Sequence, residues 1–222
     1  MAIGSITQLD FGGINCYLIK TAGNFILVDT VYPARRASLE TKLTNAGCQP
    51  GNLDLILITH GDIDHSGNCA YLREKYGAKI AMHAGDLGMV ERGDMNWNRK
   101  AKPDRQSWLG KFISRFGALF PPGKFEPFTP DLLIDESFDF APYGIDAKIL
   151  HLPGHSKGSI GILTAAGDLV CGDLIYHLFG KPGCPYIDDL ADFNASIAKL
   201  KKLAIKMVYP GHGKPFLMEE FK

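Results

Sequence analysis

The feature that most limits how this chain can fold is Thr59-His60-Gly61-Asp62-Ile63-Asp64-His65-Ser66-Gly67, set directly behind the apolar run Leu55-Ile56-Leu57-Ile58. In an extended backbone alternate side chains share a face. His60, Asp62 and Asp64 are therefore expected on one side, with Gly61 and Ile63 on the other. His65 then falls at a turn where Ser66 is placed to cap a helix running through Tyr71, Leu72 and Tyr76 to Gly77. Imidazoles and carboxylates packed this tightly repel or go unsatisfied unless something cationic lies between them. One such residue in a loop is ordinary; the group behind a buried strand reads as half of a metal site.

Three later segments repeat one grammar: an apolar strand, a glycine, then a metal-competent side chain. Ile149-Leu150-His151-Leu152-Pro153-Gly154-His155-Ser156 delivers His155, Leu169-Val170-Cys171-Gly172-Asp173 delivers Asp173, and Met207-Val208-Tyr209-Pro210-Gly211-His212-Gly213 delivers His212. Glycine lets the backbone turn sharply at the strand end, so the next side chain points along the sheet edge. The other histidines read differently. His151 is expected to be a packing or supporting residue, and His83 structural or exposed. His177, four positions after Asp173, is a candidate to line a substrate pocket, and Lys181 a candidate to meet an anionic substrate group.

A length of 222 residues suits one sizeable core and is short for two. We therefore expect a single domain over 1–222. Lysine plus arginine equals aspartate plus glutamate, 24 of each, so no charge imbalance marks a nucleic-acid or membrane-surface binder. No apolar run approaches a membrane span. Met1-Ala2-Ile3-Gly4-Ser5 shows no basic region leading into an apolar core, hence no visible signal peptide and an expected cytoplasmic location. The five cysteines are scattered and form no Cys-x-x-Cys, which suits buried residues of a reducing compartment better than a disulfide framework.

Along the chain, Ile3–Leu9, Ile14–Thr21 and Gly23–Val28 read as strands joined by turns short enough to force antiparallel pairing. A helix is expected over Ala34–Asn45. Leu55–Ile58, the helix after His65, and Lys79–Met82 form a strand–helix–strand unit with parallel strands. The second half suggests strands at Leu132–Ile134, Ser137–Asp139, Ile145–Leu152, Ile160–Thr164, Leu169–Cys171 and Met207–Tyr209, with a helix from Phe193 to Ile205. Two halves of this kind predict two packed sheets with helices outside. The stretch 85–128 is different: Trp108, Phe112, Phe116 and Phe120 recur at helical spacing, consistent with packing against the body, a helical lid over a substrate pocket, or a homodimer face.

From Asn15-Cys16-Tyr17-Leu18 and Leu27-Val28-Asp29-Thr30 to Pro210-Gly211-His212-Gly213, the ordered series resembles the metallo-β-lactamase superfamily, the glyoxalase II-like hydrolases. The resemblance implies an α/β (α+β) four-layer αββα sandwich with two divalent metal ions along one edge of the sheets. On that pattern His60, Asp62 and His155 would hold the first metal, Asp64, His65 and His212 the second, and Asp173 would bridge them. Asp29 and Thr59 would orient the ligand loop from behind. One departure stands out: most of the family has His-x-His-x-Asp-His, and Asp62 replaces the second histidine. A carboxylate is a harder, anionic ligand; zinc remains the first expectation, with iron or manganese as alternatives.

The chemistry implied is that of water bound by dications, whose pKa falls from 15.7 to about 7, giving a metal-bound hydroxide at neutral pH. The same ions polarise a carbonyl and stabilise the oxyanion formed on attack. Asp64 is the expected catalytic carboxylate, orienting the nucleophile and moving its proton. The leading expectation is a binuclear metallo-hydrolase acting on an ester, thioester, lactone or related acyl bond of a small-molecule substrate. The rival is an iron-dependent oxidoreductase, persulfide dioxygenase-like or flavodiiron-like, which Asp62 favours and the lack of a flavodoxin-like domain disfavours.

Overall fold

A computed structural model of the chain describes residues 5–106, 125–178 and 180–221. Strands β1 (Ile6–Asp10), β2 (Asn15–Lys20) and β3 (Phe25–Val28) pair antiparallel through short turns. Helix α1 (Arg36–Asn45) leads to β4 (Leu53–Leu57), which lies parallel to β3. The short α2 (Ile63–Ser66) and then α3 (Cys69–Tyr76) carry the chain to β5 (Lys79–Met82), parallel to β4. After α4 (Leu87–Arg92) and β6 (Arg105–Gln106), β7 (Leu132–Leu133) closes a six-stranded sheet ordered β1-β2-β3-β4-β5-β7.

The second sheet is built from β8 (Ala147–His151), β9 (Ile160–Thr164) and β10 (Asp168–Gly172). A hairpin of β11 (Tyr176–Leu178) and β12 (Lys181–Gly183) follows, then β13 (Tyr186–Ile187), which pairs with β6. Helix α5 (Leu190–Leu200) crosses to β14 (Met207–Pro210), parallel to β10, and β15 (Phe216–Leu217) completes the order β15-β14-β10-β9-β8.

Side-chain alternation along the strands sorts the apolar residues into layers. Ile26, Val28, Leu55 and Leu57 of the first sheet meet Ile149, Ile160, Ile162 and Val170 of the second in one buried cluster. The opposite faces of the same strands, Leu18, Leu27 and Ile56, pack with Leu39 and Leu43 of α1 and Leu72 of α3. Leu150, Leu163 and Leu169 likewise pack with Phe193 and Leu200 of α5. Helix, sheet, sheet and helix thus follow one another, the αββα arrangement. Burial on both faces explains why the central strands are apolar throughout instead of alternating with polar residues.

Several local expectations are corrected. The metal-competent string does not continue β4: the strand ends at Leu57, Asp62 is the N-cap of α2, and Asp64 and His65 lie within that helical turn. Ser66 does not cap the following helix. Its hydroxyl donates to the carbonyl of Asp62 at 2.9 Å, and Asn68 stands at the N-cap of α3. Gly77 ends α3 in a left-handed conformation, φ 73°, as a C-cap glycine does. Ser137–Asp139 is not a strand: Glu136 and Ser137 form a turn, in which Asp135 accepts from the Ser137 amide and hydroxyl, and Phe138 and Asp139 follow without regular structure. Helix α5 begins at Leu190, earlier than Phe193, because the Asp189 carboxylate accepts from the Ala191 and Asp192 amides. Trp108, Phe112, Phe116 and Phe120, on which the lid or dimer-face expectation rests, lie outside the described residues.

Truncating a side chain between the sheets should leave a void that the rigid strands cannot collapse. Ile162→Ala, at a position 1% exposed, is expected to lower stability by about 2–5 kcal/mol in urea unfolding. A loss near zero would mean that the two sheets are not closely packed there.

Candidate metal centre

The C-terminal ends of β4, β10 and β14 and the loop after β8 converge on one edge of the sandwich. Asp29, at the end of β3, adopts φ 64° and the β-branched Val31 φ 51°, both unusual for residues with a Cβ. The loop is held in that shape by Asn68, whose side-chain amide donates to the carbonyls of Thr30, Val31 and Tyr32 at 2.7, 3.0 and 3.0 Å. Its product is the placement of the Asp29 carboxylate. That group accepts from the Thr59 amide and hydroxyl at 2.8 Å each and faces His65 Nδ1 at 2.8 Å. Thr59 Oγ1 in turn lies 3.0 Å from His60 Nδ1. Both imidazoles therefore present Nε2 forward, with their other nitrogens engaged behind.

His155 and His212 arrive on loops tied to the rest of the fold. The carbonyl of Pro210 accepts from Tyr17 Oη at 2.6 Å and Asn15 Nδ2 at 2.9 Å, which fixes the loop carrying His212. Glycine is required beside it: a Cβ on Gly211 would stand 2.3 Å from Asp173 Oδ1 and 2.7 Å from His65 Cε1. Gly172, φ 51°, turns the chain so that Asp173 points into the same space.

The seven side chains of the sequence reading form three overlapping groups. His60, Asp62 and His155, then His60, His65 and Asp173, then Asp64, His65 and His212 each bring ligand atoms within 4.8 Å of one another. Asp173 lies between them. Its Oδ2 is 3.8 Å from His60 Nε2, 3.7 Å from His155 Nε2 and 3.3 Å from His212 Nε2, while Oδ1 is 3.3 Å from His65 Nε2. Among the described residues four buried side-chain atoms have no hydrogen-bond partner: His60 Nε2, His65 Nε2, His155 Nδ1 and Asp173 Oδ1. Buried polar atoms in folded proteins are nearly always paired. Of these, His60 Nε2, His65 Nε2 and Asp173 Oδ1 face a common space, into which His155 presents Nε2, and imidazole nitrogens with carboxylate oxygens are a donor set suited to divalent cations.

Electrostatics point the same way. Burial raises the carboxyl of Asp62, but the charges of Arg99 and His60 outweigh it and hold the group well below the usual carboxylate range. Burial is also opposed at Asp173, by His212 and His65, and at Asp64, chiefly by His65. Burial alone would depress the imidazoles, yet Asp173 and Asp64 raise His65 well above its ordinary value and push His212 up to about 10. Without metal, protons on these rings neutralise the carboxylates, and a dication would displace them.

Neither remaining candidate joins these groups. His177 Nδ1 meets the Lys214 carbonyl at 3.0 Å and its ring packs edge-on against Phe216, while Lys181 is exposed on β12. His83 and His151 stack on each other at 4.0 Å and belong to none of the three groups. The structure adds three residues that the sequence reading missed. Tyr176 stacks on His212 and its hydroxyl bonds the Asp173 carboxylate; its position three after Asp173 was the only available signal. Arg99 reaches Asp62 Oδ1 at 2.5 Å. Asp86, fully buried, accepts from the Gly61 amide (3.0 Å), Ser156 Oγ (2.6 Å) and the Gly158 amide (2.7 Å), so one carboxylate fastens the His60–Asp62 loop to the His155 loop.

Asp86→Ala leaves the Gly61 and Gly158 amides unpaired at about 1–3 kcal/mol each, while Ser156 keeps the Ser159 hydroxyl, and frees both loops. A lowered melting temperature is expected, together with about 10–100-fold weaker zinc uptake by metal-free protein. Unchanged uptake would show that Asp86 serves stability alone.

Among curated proteins the chain is 25% identical over 190 residues to the acyl-coenzyme A thioesterase MBLAC2 of Gallus gallus, covering 80% of this chain and 62% of that protein. It is 26% identical over 128 residues to the hydroxyacylglutathione hydrolase GloC of Haemophilus influenzae, covering 57% of this chain and 51% of that one. It thus spans less than two thirds of the length of these relatives. Of solved structures, BJP-1, a subclass B3 metallo-beta-lactamase of Bradyrhizobium japonicum, superposes with a TM-score of 0.70 at 23% identity over 95% of this chain and 75% of that one, which shows the shared fold. The family described as the metallo-beta-lactamase superfamily matches residues 9–212, nearly the whole chain, and the protein belongs to that superfamily.

Proposed function

We propose that this chain is a metal-dependent hydrolase of acyl bonds, with thioesters the first substrate class to examine. The observation that carries the reading is the convergence of the three His/Asp groups, with unpaired buried ligand atoms, at the open edge of the sandwich. The thioesterase and the hydroxyacylglutathione hydrolase among the relatives support the substrate class. Bound dications would supply an acidified water and a Lewis acid for the acyl oxygen; zinc is the metal we propose.

The chain's own residues do the rest. His60, Asp62 and His155 would form one half of the cradle, Asp64, His65 and His212 the other, and Asp173 would reach both. The side chains of Asp64 and His212 are 12% and 17% exposed, against 4% or less for His60, His65 and His155, so substrate would approach on that side. Asp64 would hold the proton released on attack at its carboxylate and deliver it to the leaving group. No serine or cysteine nucleophile is needed.

An iron-dependent redox reading has one observation in its favour, a carboxylate among the ligands of the first half. Metal analysis of protein made without added metal separates the two. Stoichiometric iron with visible absorbance supports redox chemistry, and colourless zinc supports hydrolysis.

Metal-free protein is expected to lose turnover of acyl-coenzyme A and acyl-glutathione thioesters and to regain it with zinc. Undiminished turnover in a sample verified as metal-free would overturn the reading. Asp64→Asn should lower kcat by about 10²–10⁴-fold, with metal content assayed on the same sample to separate proton transfer from metal loss.

A further inference from the structure

Asp62 is the position at which this chain departs from the ligand pattern it resembles, and Arg99 is the residue that touches it. The side chains are 8% and 7% exposed. Three donors of the Arg99 side chain are assigned: Nη2 to Asp62 Oδ1 (2.5 Å), Nη1 to the His155 carbonyl (2.8 Å) and Nε to the Met95 carbonyl (3.0 Å). The guanidinium also lies 5.2 Å from the ring centre of Tyr186.

The contact is built in, because both chain neighbours of Arg99 are tied down. Asn98, held at φ 61°, donates through Nδ2 to the Gly85 carbonyl at 2.9 Å. The Lys100 amide donates to Asp188 Oδ1 at 3.1 Å. Asp62 divides its two oxygens: Oδ1 goes to Arg99, while Oδ2 faces His155 Nε2 at 3.2 Å and His60 Nε2 at 3.5 Å.

We propose that Asp62 and Arg99 act as one unit in place of a neutral third donor. Arg99 holds Asp62 so that a single oxygen faces His60 and His155, and its charge offsets the one that the carboxylate brings. Two imidazoles with an Asp–Arg pair then carry the same net charge as three imidazoles. Arg99 is a positioning residue, and its planar fork is needed because one lysine ammonium could not span the three acceptors in their fixed directions. The inference rests on the metal-centre reading given above. It also removes much of the reason to expect a harder metal than zinc, since the extra anionic charge is cancelled where it arises.

A double-substitution cycle tests the unit, using metal-free wild type, Asp62→His, Arg99→Met and the double variant titrated with zinc alone against a chromophoric chelator. Asp62→His strands a buried guanidinium beside three imidazoles, so one zinc equivalent should weaken about 10–100-fold and the other stay unchanged. Adding Arg99→Met should restore most of that loss, because residues acting as a unit are non-additive. A double variant no better than Asp62→His, in folding or in zinc uptake, overturns the proposal. If Asp62→His fails to fold and the double variant folds, the proposal stands. Arg99→Met alone leaves Asp62 a buried carboxylate without its guanidinium, so a dication has more charge to offset there than in wild type. Its metal-free form should melt below wild type and gain more from zinc than wild type does; an equal or smaller gain overturns the proposal. Wild-type protein that takes up no zinc would defeat the metal centre itself, an outcome distinct from additive losses in variants that bind it.

Discussion

Four carboxylates, Asp29, Asp62, Asp64 and Asp173, are buried within a few ångströms of His60, His65, His155 and His212. Burying charge without compensation is among the most expensive things a fold can do. Arg99 balances one of the four, and in the metal-free molecule protons on His65 and His212 balance others. The edge of the sandwich is therefore assembled around positive charge that the chain itself supplies only in part. Metal uptake would be coupled to folding for that reason, since whatever fills the centre also discharges a debt of the native state.

The scaffold answers this by holding His60, His65 and the loops that carry His155 and His212 from behind. Asp29 serves His65 directly and reaches His60 through Thr59, so one carboxylate in a left-handed turn sets two rings. Asp86 fastens two loops, and Asn15 with Tyr17 holds a third. These supports belong to the first sheet and its connections, whereas His155, Asp173 and His212 stand at strand ends of the second. The centre can hold its shape only if the sheets keep their relative position, and the shared core of Ile26, Leu55, Ile149 and Ile162 secures that. Packing far from the metals is thus part of their geometry.

Much of this was legible in the sequence because its causes are local. Apolar runs such as Leu55–Ile58 and Ile160–Thr164 mark strands buried on both faces, and β9 matches its expected bounds. Strand-then-glycine punctuation located His155, Asp173 and His212, which the structure gathers with the first string. The geometry of that string was less legible. Alternation put His60, Asp62 and Asp64 on one strand face, whereas they come together because the chain turns at Thr59 and winds into α2, with the Asp62 carbonyl accepting from the His65 and Ser66 amides. Arg99 and Asp86 could not be read at all. Each acts on residues tens of positions away, and neither lies in a local pattern that sets it apart from other loop residues.

Arg99 also gives the centre two unlike halves. On the side of His60, Asp62 and His155, the guanidinium and Tyr186 close over the ligands, and exposure falls to a few per cent. On the side of Asp64 and His212 the ring of Tyr176 lies stacked at the edge, and Tyr32, 38% exposed, stands near enough for Asp64, Asp62 and Asp173 to add to burial in raising its hydroxyl. A sealed, charge-balanced half suits a fixed electrostatic role, because low polarity strengthens its field and excludes exchangeable water. The open half is where a substrate can enter and a proton can leave. The aspartate that looks like a defect in the ligand string thus helps to seal one half, since its partner arginine comes with it.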